Sequence, residues 1–207
     1  MKRKVIGALL ILTIVFSNSA TAFAIDFTQW DTRSPRPVDI LASRYFTSVD
    51  FLMNRGIVTG DPDGLFRPDR SITRAELAVM MARATLNRGQ ILDAEFNETF
   101  NDLMGFVWAR PYINAAAESG ILRGRGPGTF APAGTVTYAE AITAIIRIRP
   151  GAGDAAEGMA PTWPENFIMY AQTYNLIHSW VVINDWNAPA RRGDIAILLH
   201  HALPGTR

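Results

Sequence analysis

The chain has 207 residues, of which 48% are hydrophobic and 19% charged, with 20 basic and 19 acidic side chains and no cysteine. That composition excludes a disordered or collagen-like polymer, a disulfide framework, and any metal or nucleophile chemistry that needs a thiolate. Three of the basic residues lie in the first four positions and no acidic residue lies in the first 24. The remainder therefore carries 17 basic against 19 acidic residues, a balance that predicts no general attraction to nucleic acid or anionic lipid.

Lys2, Arg3 and Lys4 precede an apolar run from Val5 to Phe16, and Ala22 and Ala24 supply small residues two apart. This is the three-part layout of a secretory signal. A spanning helix needs about 20 apolar residues, and Ser17, Asn18, Ser19 and Thr21 interrupt the run. Residues 1–24 are expected to be a cleaved export signal, followed by an N-terminal extension over 25–37, with no membrane span after cleavage.

The rest of the chain repeats itself. Gly56, Gly60, Gly64, Phe66, Pro68, Thr73, Ala75, Glu76 and Arg83 recur 64 residues later as Gly120, Gly124, Gly128, Phe130, Pro132, Thr137, Ala139, Glu140 and Arg147. Each copy predicts helix, loop, helix. Phe46 to Arg55 and Tyr112 to Ser119 have helical apolar spacing, with Gly56 and Gly120 as C-terminal caps. The loops Gly60 to Gly64 and Gly124 to Gly128 follow, each leading to one aromatic, Phe66 or Phe130, expected to face inward. Thr73 with Glu76, and Thr137 with Glu140, have the spacing of a capping box, which makes them structural. Leu77, Met80, Met81 and Ala84, or Ala141, Ala144, Ile145 and Ile148, predict the buried stripe of the second helix.

Repeat 1 is placed at 38–88, repeat 2 at 96–149, a Gly/Ala/Pro-rich linker at 150–161 and a degraded third copy at 162–203. In that copy Trp163 aligns with Trp108, Asn175 with Gly120, Arg192 with Tyr138 and Asp194 with Glu140. His178 to Trp186 replaces the glycine-aromatic-proline loop, and Arg191 replaces the capping threonine. One such unit cannot bury its own apolar face, so three packed together form the smallest stable body.

The run from Gly56 to Pro68, followed by Ile72, Thr73, Arg74, Ala75 and Glu76, closely resembles the S-layer homology repeat. The second unit carries most of that signature and the third its outline. The resemblance implies a mostly α fold in which three helix–loop–helix repeats form a pseudo-three-fold prism around a central three-helix bundle. It implies inter-repeat grooves that bind secondary cell-wall polysaccharide, typically through a sugar bearing a pyruvate ketal. The implied role is non-catalytic anchoring at the cell wall or surface layer. The implied partners are that polysaccharide or peptidoglycan and other surface-layer proteins; no cofactor or metal is expected.

A pyruvate ketal carries a carboxylate, which arginine meets with two parallel hydrogen bonds. At the first position of a helix the arginine is joined by free backbone N–H groups and the positive end of the helix dipole. Arg74 occupies that place and is the leading ligand-binding candidate; Tyr138 and Arg192 are its counterparts. Tyr138 offers stacking or one hydrogen bond but no charge, and the lost cap before Arg192 predicts a disturbed orientation. One full, one altered and one impaired groove are expected. Asp63 and Gly64 are candidates for sugar hydroxyls, beside the plainer reading of a β-turn. Asp194 is expected to cap, as Glu76 and Glu140 do.

Other signals are weaker. A calcium loop starting at Asp61 would have Ile72 where it needs a bidentate glutamate. His178, His200 and His201 include no i, i+4 pair for a metal. Trp108 and Trp163 recur at matching positions and are expected in the core, whereas Trp180 and Trp186 are balanced between core and sugar platform. A wall glycosidase would need a positioned carboxylate pair, and the recurrent carboxylates already have capping roles. A protein-binding or peptidoglycan-binding module remains the alternative.

Overall fold

A computed structural model describes residues 36–204; the expected export signal and most of the N-terminal extension lie outside the described residues. Among the described residues there are eight α-helices: α1 (Phe46–Asn54), α2 (Arg74–Thr85), α3 (Arg88–Asp93), α4 (Arg110–Glu118), α5 (Tyr138–Arg147), α6 (Ala152–Glu157), α7 (Glu165–Thr173) and α8 (Arg192–Ala202). Among the described residues, extended structure is limited to isolated bridges. The fold is mostly α, as the repeats predict.

Helix ends follow the sequence signals. α1 and α4 stop where Gly56 and Gly120 turn left-handed, at φ +67° and +69°, and Asn175 adopts φ +51° after α7. The next N–H reaches back five residues in all three cases, Ile57 to Leu52, Ile121 to Ala116 and Leu176 to Ala171, which is the Schellman closure. α2 and α5 open with complete capping boxes from Thr73 with Glu76 and Thr137 with Glu140, each cap worth about 1 kcal/mol. α8 opens without one. Its N-cap Arg191 has no capping side chain, and Asp194 instead accepts from Tyr138 Oη at 2.6 Å and Arg44 at 3.1 Å. The capping role expected of Asp194 is therefore not found.

The three second helices, α2, α5 and α8, lie at the centre. They are buried on more than one stripe: eight of the twelve residues of α2 are buried, including Ala75, Ala78, Val79 and Ala82 outside the expected face. The outer helices are exchanged around the ring, so that α4 packs on α2, α7 on α5 and α1 on α8. Each repeat thus supplies its first helix to cover the second helix of the preceding repeat, and the first repeat covers the last. Phe66 and Phe130 are fully buried, each contributing about 1.5–3 kcal/mol by leaving water.

The segments leading into the central helices close a ring of backbone bonds. Ile72 N–H donates to Ala190 C=O (3.0 Å), Ala190 to Val136 (2.8 Å) and Val136 to Ile72 (3.1 Å). The next N–H groups donate in the opposite sense around the ring, Arg74 to Gly134, Tyr138 to Ala188 and Arg192 to Arg70. Then come Ala75 to Pro132, Ala139 to Trp186 and Gly193 to Pro68, all between 2.8 and 3.2 Å. The third loop has lost its signature yet still supplies the carbonyl seat, with Trp186 in the place of proline. Gly193 is the tight point of the ring: a Cβ there would come within 2.6 Å of the Tyr45 ring and 2.7 Å of Pro68.

Two features were not visible in the sequence. The expected linker 150–161 carries α6, whose Ala152 and Ala156 are buried against Phe167 and the α5 face. α6 lies 64 residues after α3, so this helix belongs to the repeat. Asp39 accepts from Phe66 N–H (3.0 Å) and Arg67 N–H (2.7 Å), and Asp102 accepts from Phe130 N–H (3.0 Å) and Ala131 N–H (2.7 Å). These carboxylates hold Arg67 and Ala131 at φ +54° and +59°, a left-handed conformation that costs a side chain about 1 kcal/mol or more.

Candidate functional site

The repeat symmetry relates three inter-repeat positions, here grooves A, B and C, and a cavity lies in groove A. Each position is walled by one central helix, the loop before that helix, the first residue of another central helix, and the residue preceding an outer helix. Groove A uses α2, the repeat 1 loop, Arg192 and Trp108; groove B uses α5, the repeat 2 loop, Arg74 and Trp163. Groove C uses α8, the rebuilt third loop, Tyr138 and Arg44. Arg74 therefore does not share a groove with Asp63 and Gly64. Their loop faces Arg192, and Arg74 faces the repeat 2 loop.

Arg74 is 5% exposed. Its Nε donates to Phe130 C=O at 2.8 Å and an Nη to Arg123 C=O at 2.7 Å, and the guanidinium lies 4.6 Å from the Phe130 ring centre. Arg192 repeats this pose on repeat 1, donating to Thr59 C=O (2.8 Å) and Glu76 (2.7 Å), 4.7 Å from the Phe66 ring. The disturbed orientation expected of Arg192 is not observed. Burial lowers the pKa of both guanidinium groups, against the pull of Glu140 and Glu76 respectively.

The N-terminus of α2 offers no free anion site. Arg74 and Ala75 N–H are used by the ring, and Glu76 N–H is used by Thr73. The expected free backbone donors beside Arg74 are thus already paired. Tyr138 is also buried, and it is turned to Asp194 rather than to an open face. Burial and the Asp194 hydrogen bond push its pKa up to about 12. For Glu76, burial raises the carboxyl, but hydrogen bonds from Arg70 and Thr73 N–H and the charges of Arg192 and Arg70 outweigh it, holding the group at about 2.

Groove A contains a cavity of about 580 Å³ lined by Thr59, Gly60, Asp61, Gly64, Val79, Met80, Arg83, Trp108 and Arg192, among others. Asp63 does not line it. That carboxylate is exposed, binds Arg67 and accepts Leu65 N–H in its own turn, and the Arg67 hydrogen bond lowers its pKa. Arg83 was not singled out as a ligand residue. It lies over Tyr112, 5.0 Å from the ring, with an Nη 3.3 Å from Tyr112 Oη. Its buried Nε has no partner, and among the described residues it has no acidic partner. The sequence signal was present, since Arg83 recurs as Arg147. Its location was not, because the groove takes walls from three repeats.

The tryptophans depart from expectation. Trp108 and Trp163 are 53% and 51% exposed rather than in the core. Trp108 borders the groove A cavity, and Trp163 donates its indole N–H to Thr143 on the groove B wall at 3.0 Å. Trp180 is also half exposed, while Trp186 packs partly buried against the core. His200 and His201 point apart, to Ser48 and to Asn175 C=O. Among the described residues no three His, Cys, Asp or Glu side chains are placed to hold a metal, and no helix is long and apolar enough to cross a membrane.

A ring of exchanged helices with arginines at the corners between repeats defines a repeat-built helical domain. The family model of the S-layer homology domain matches residues 39–78 and 99–142, and the chain belongs to that family. The degraded third copy lies outside both matches. The chain is 32% identical over 202 residues to a middle cell wall protein of Brevibacillus brevis, covering 97% of this chain and 18% of that protein. It is 30% identical to a surface layer protein of Brevibacillus choshinensis, covering 97% and 17%, and 28% identical to a cell surface protein of Thermoanaerobacter kivui, covering 97% and 24%. The chain thus spans less than a quarter of these relatives.

Proposed function

We propose that this domain attaches to the cell wall by binding an acidic secondary polysaccharide in groove A. The observation that carries the reading is Arg83: a guanidinium without an acidic partner, on the wall of a cavity of about 580 Å³ that is bordered by a half-exposed tryptophan. Arginine with unused planar donors fits the carboxylate of a pyruvate ketal. Trp108 offers a flat apolar face to a sugar ring, and the carbonyls and N–H groups of the Thr59 to Gly64 turn meet hydroxyls. Arg192 supports the site by fixing that turn and adds positive charge. The role is attachment rather than catalysis, and its place is the cell surface, in keeping with the family and with relatives named as cell-wall and surface-layer proteins.

Titration calorimetry against purified wall polysaccharide, before and after mild acid removal of pyruvate, tests this. Arg83→Ala and Trp108→Ala are each expected to weaken binding at least about ten-fold, on the scale of one charged hydrogen-bond pair or one aromatic contact, with unchanged circular dichroism. Equal binding to the depyruvylated polymer would overturn the acidic-ligand reading. Binding to peptidoglycan alone would replace it with the peptidoglycan reading.

A further inference from the structure

Groove B has the parts of groove A with one addition. Arg147 is the counterpart of Arg83 and lies 5.3 Å from the ring of Phe167, as Arg83 lies over Tyr112. Each of these arginines has a buried Nε without a partner. Trp163 stands on the groove B wall, as Trp108 borders groove A. The difference lies at the end of α6, the counterpart of α3. The last residue of α6, Glu157, places one carboxylate oxygen 2.8 Å from Arg147 and 3.1 Å from Arg123. In repeat 1 the corresponding residue is Asp93, one methylene shorter, and it forms no ion pair with Arg83.

We infer that Arg123 and Arg147 form a second carboxylate site in groove B, and that Glu157 of the same chain occupies it. The inference rests on the anionic-ligand reading of groove A but concerns different residues. Two guanidinium groups converging on one oxygen are the arrangement that a bound carboxylate would require. The hydrogen bond from Arg147 holds Glu157 ionised by lowering its pKa. Because the competitor is tethered, it acts at an effective concentration of about millimolar or more, so a free carboxylate of similar intrinsic affinity is outcompeted below that level. The repeats then differ in availability: groove A is open, and groove B opens only when Glu157 is displaced, neutralised or replaced.

Glu157 is 40% exposed at its side chain, so its replacement leaves the core intact. The test uses the full chain and the pyruvate ketal of methyl mannopyranoside, followed through the indole N–H signals of Trp108 and Trp163 by NMR. In the unaltered protein the Trp108 signal is expected to shift first, with Trp163 responding only at concentrations at least ten-fold higher. In Glu157→Gln and Glu157→Ala the two signals should titrate together and calorimetric stoichiometry should rise from one to two. Adding Arg147→Ala to Glu157→Gln should abolish the Trp163 response alone. Titration of both signals together in the unaltered protein, or an unmoved Trp163 in both Glu157 variants, would overturn the inference. A silent Trp108 throughout would overturn the groove A reading, while a Trp163 response gained only on loss of Glu157 would still uphold this one.

Discussion

The corner where repeat 3 meets repeat 1 and the corner where repeat 2 meets repeat 3 solve one problem in two ways. At the first, Arg192 is buried on Phe66 and held by Thr59 C=O and Glu76, with its Nε unpartnered. At the second, the rebuilt loop has no phenylalanine at the corresponding position, and the first helical residue is Tyr138, hydrogen-bonded to Asp194. A buried guanidinium is tolerated only where a ring, carbonyls and a carboxylate surround it. When the loop that provides the ring is lost, a neutral side chain with one donor fits better. The change at Tyr138 and the decay of the third loop are thus two halves of one substitution, and groove C is a clasp.

The largest expected effect breaks the arginine corner. Arg192→Ala should destabilise the domain by about 3 kcal/mol in urea denaturation, because a buried, hydrogen-bonded charge pair loses one partner. Next, Gly193→Ala should cost about 1–3 kcal/mol by overpacking against Tyr45 and Pro68, although α2 and α5 carry alanine at the same position. Tyr138→Phe should cost about 1–2 kcal/mol, leaving buried Asp194 with Arg44 as its remaining partner.

The smallest effects are read from pH. Glu76 has a depressed pKa, so its contribution is complete above about pH 4.5 and is lost as pH falls through about 2; melting temperatures of Glu76→Gln should be flatter across that window. Tyr138 has a raised pKa, so its contribution is complete below about pH 10 and is lost as pH rises through about 12. Tyr138→Phe should remove that alkaline loss.

Local grammar was legible and assembly was not. Thr73 with Glu76, Thr137 with Glu140, and the left-handed Gly56 and Gly120 depend on neighbours within a few residues, and the structure forms them as the spacing predicts. α6 was hidden because its glycines and flanking prolines argue against a helix that tertiary packing of Ala152 and Ala156 nevertheless secures. Asp39 and Asp102 act on backbone 27 to 29 residues away, and they recur 63 residues apart, one residue off the 64-residue register of the other matches. Trp108 and Trp163 recur for a reason that recurrence alone does not reveal: equivalent positions in a ring of repeats line equivalent grooves as readily as they fill equivalent cores. Pairing Arg192, rather than Arg74, with the Gly60 to Gly64 turn required knowledge of the direction in which the helices are exchanged.

That exchange sets the order of events in folding. α1 finds its cover on α8, and Ile72 finds its acceptor at Ala190, so the earliest helix of the domain awaits the latest. Contacts of such long sequence separation form slowly and late. A ribosome-arrested chain ending before residue 190 should stay sensitive to protease, and one extending past Ala202 by the length of the exit tunnel should become resistant. Synthesis of the last helix is the moment at which the whole ring closes, and until then the polypeptide remains threadable.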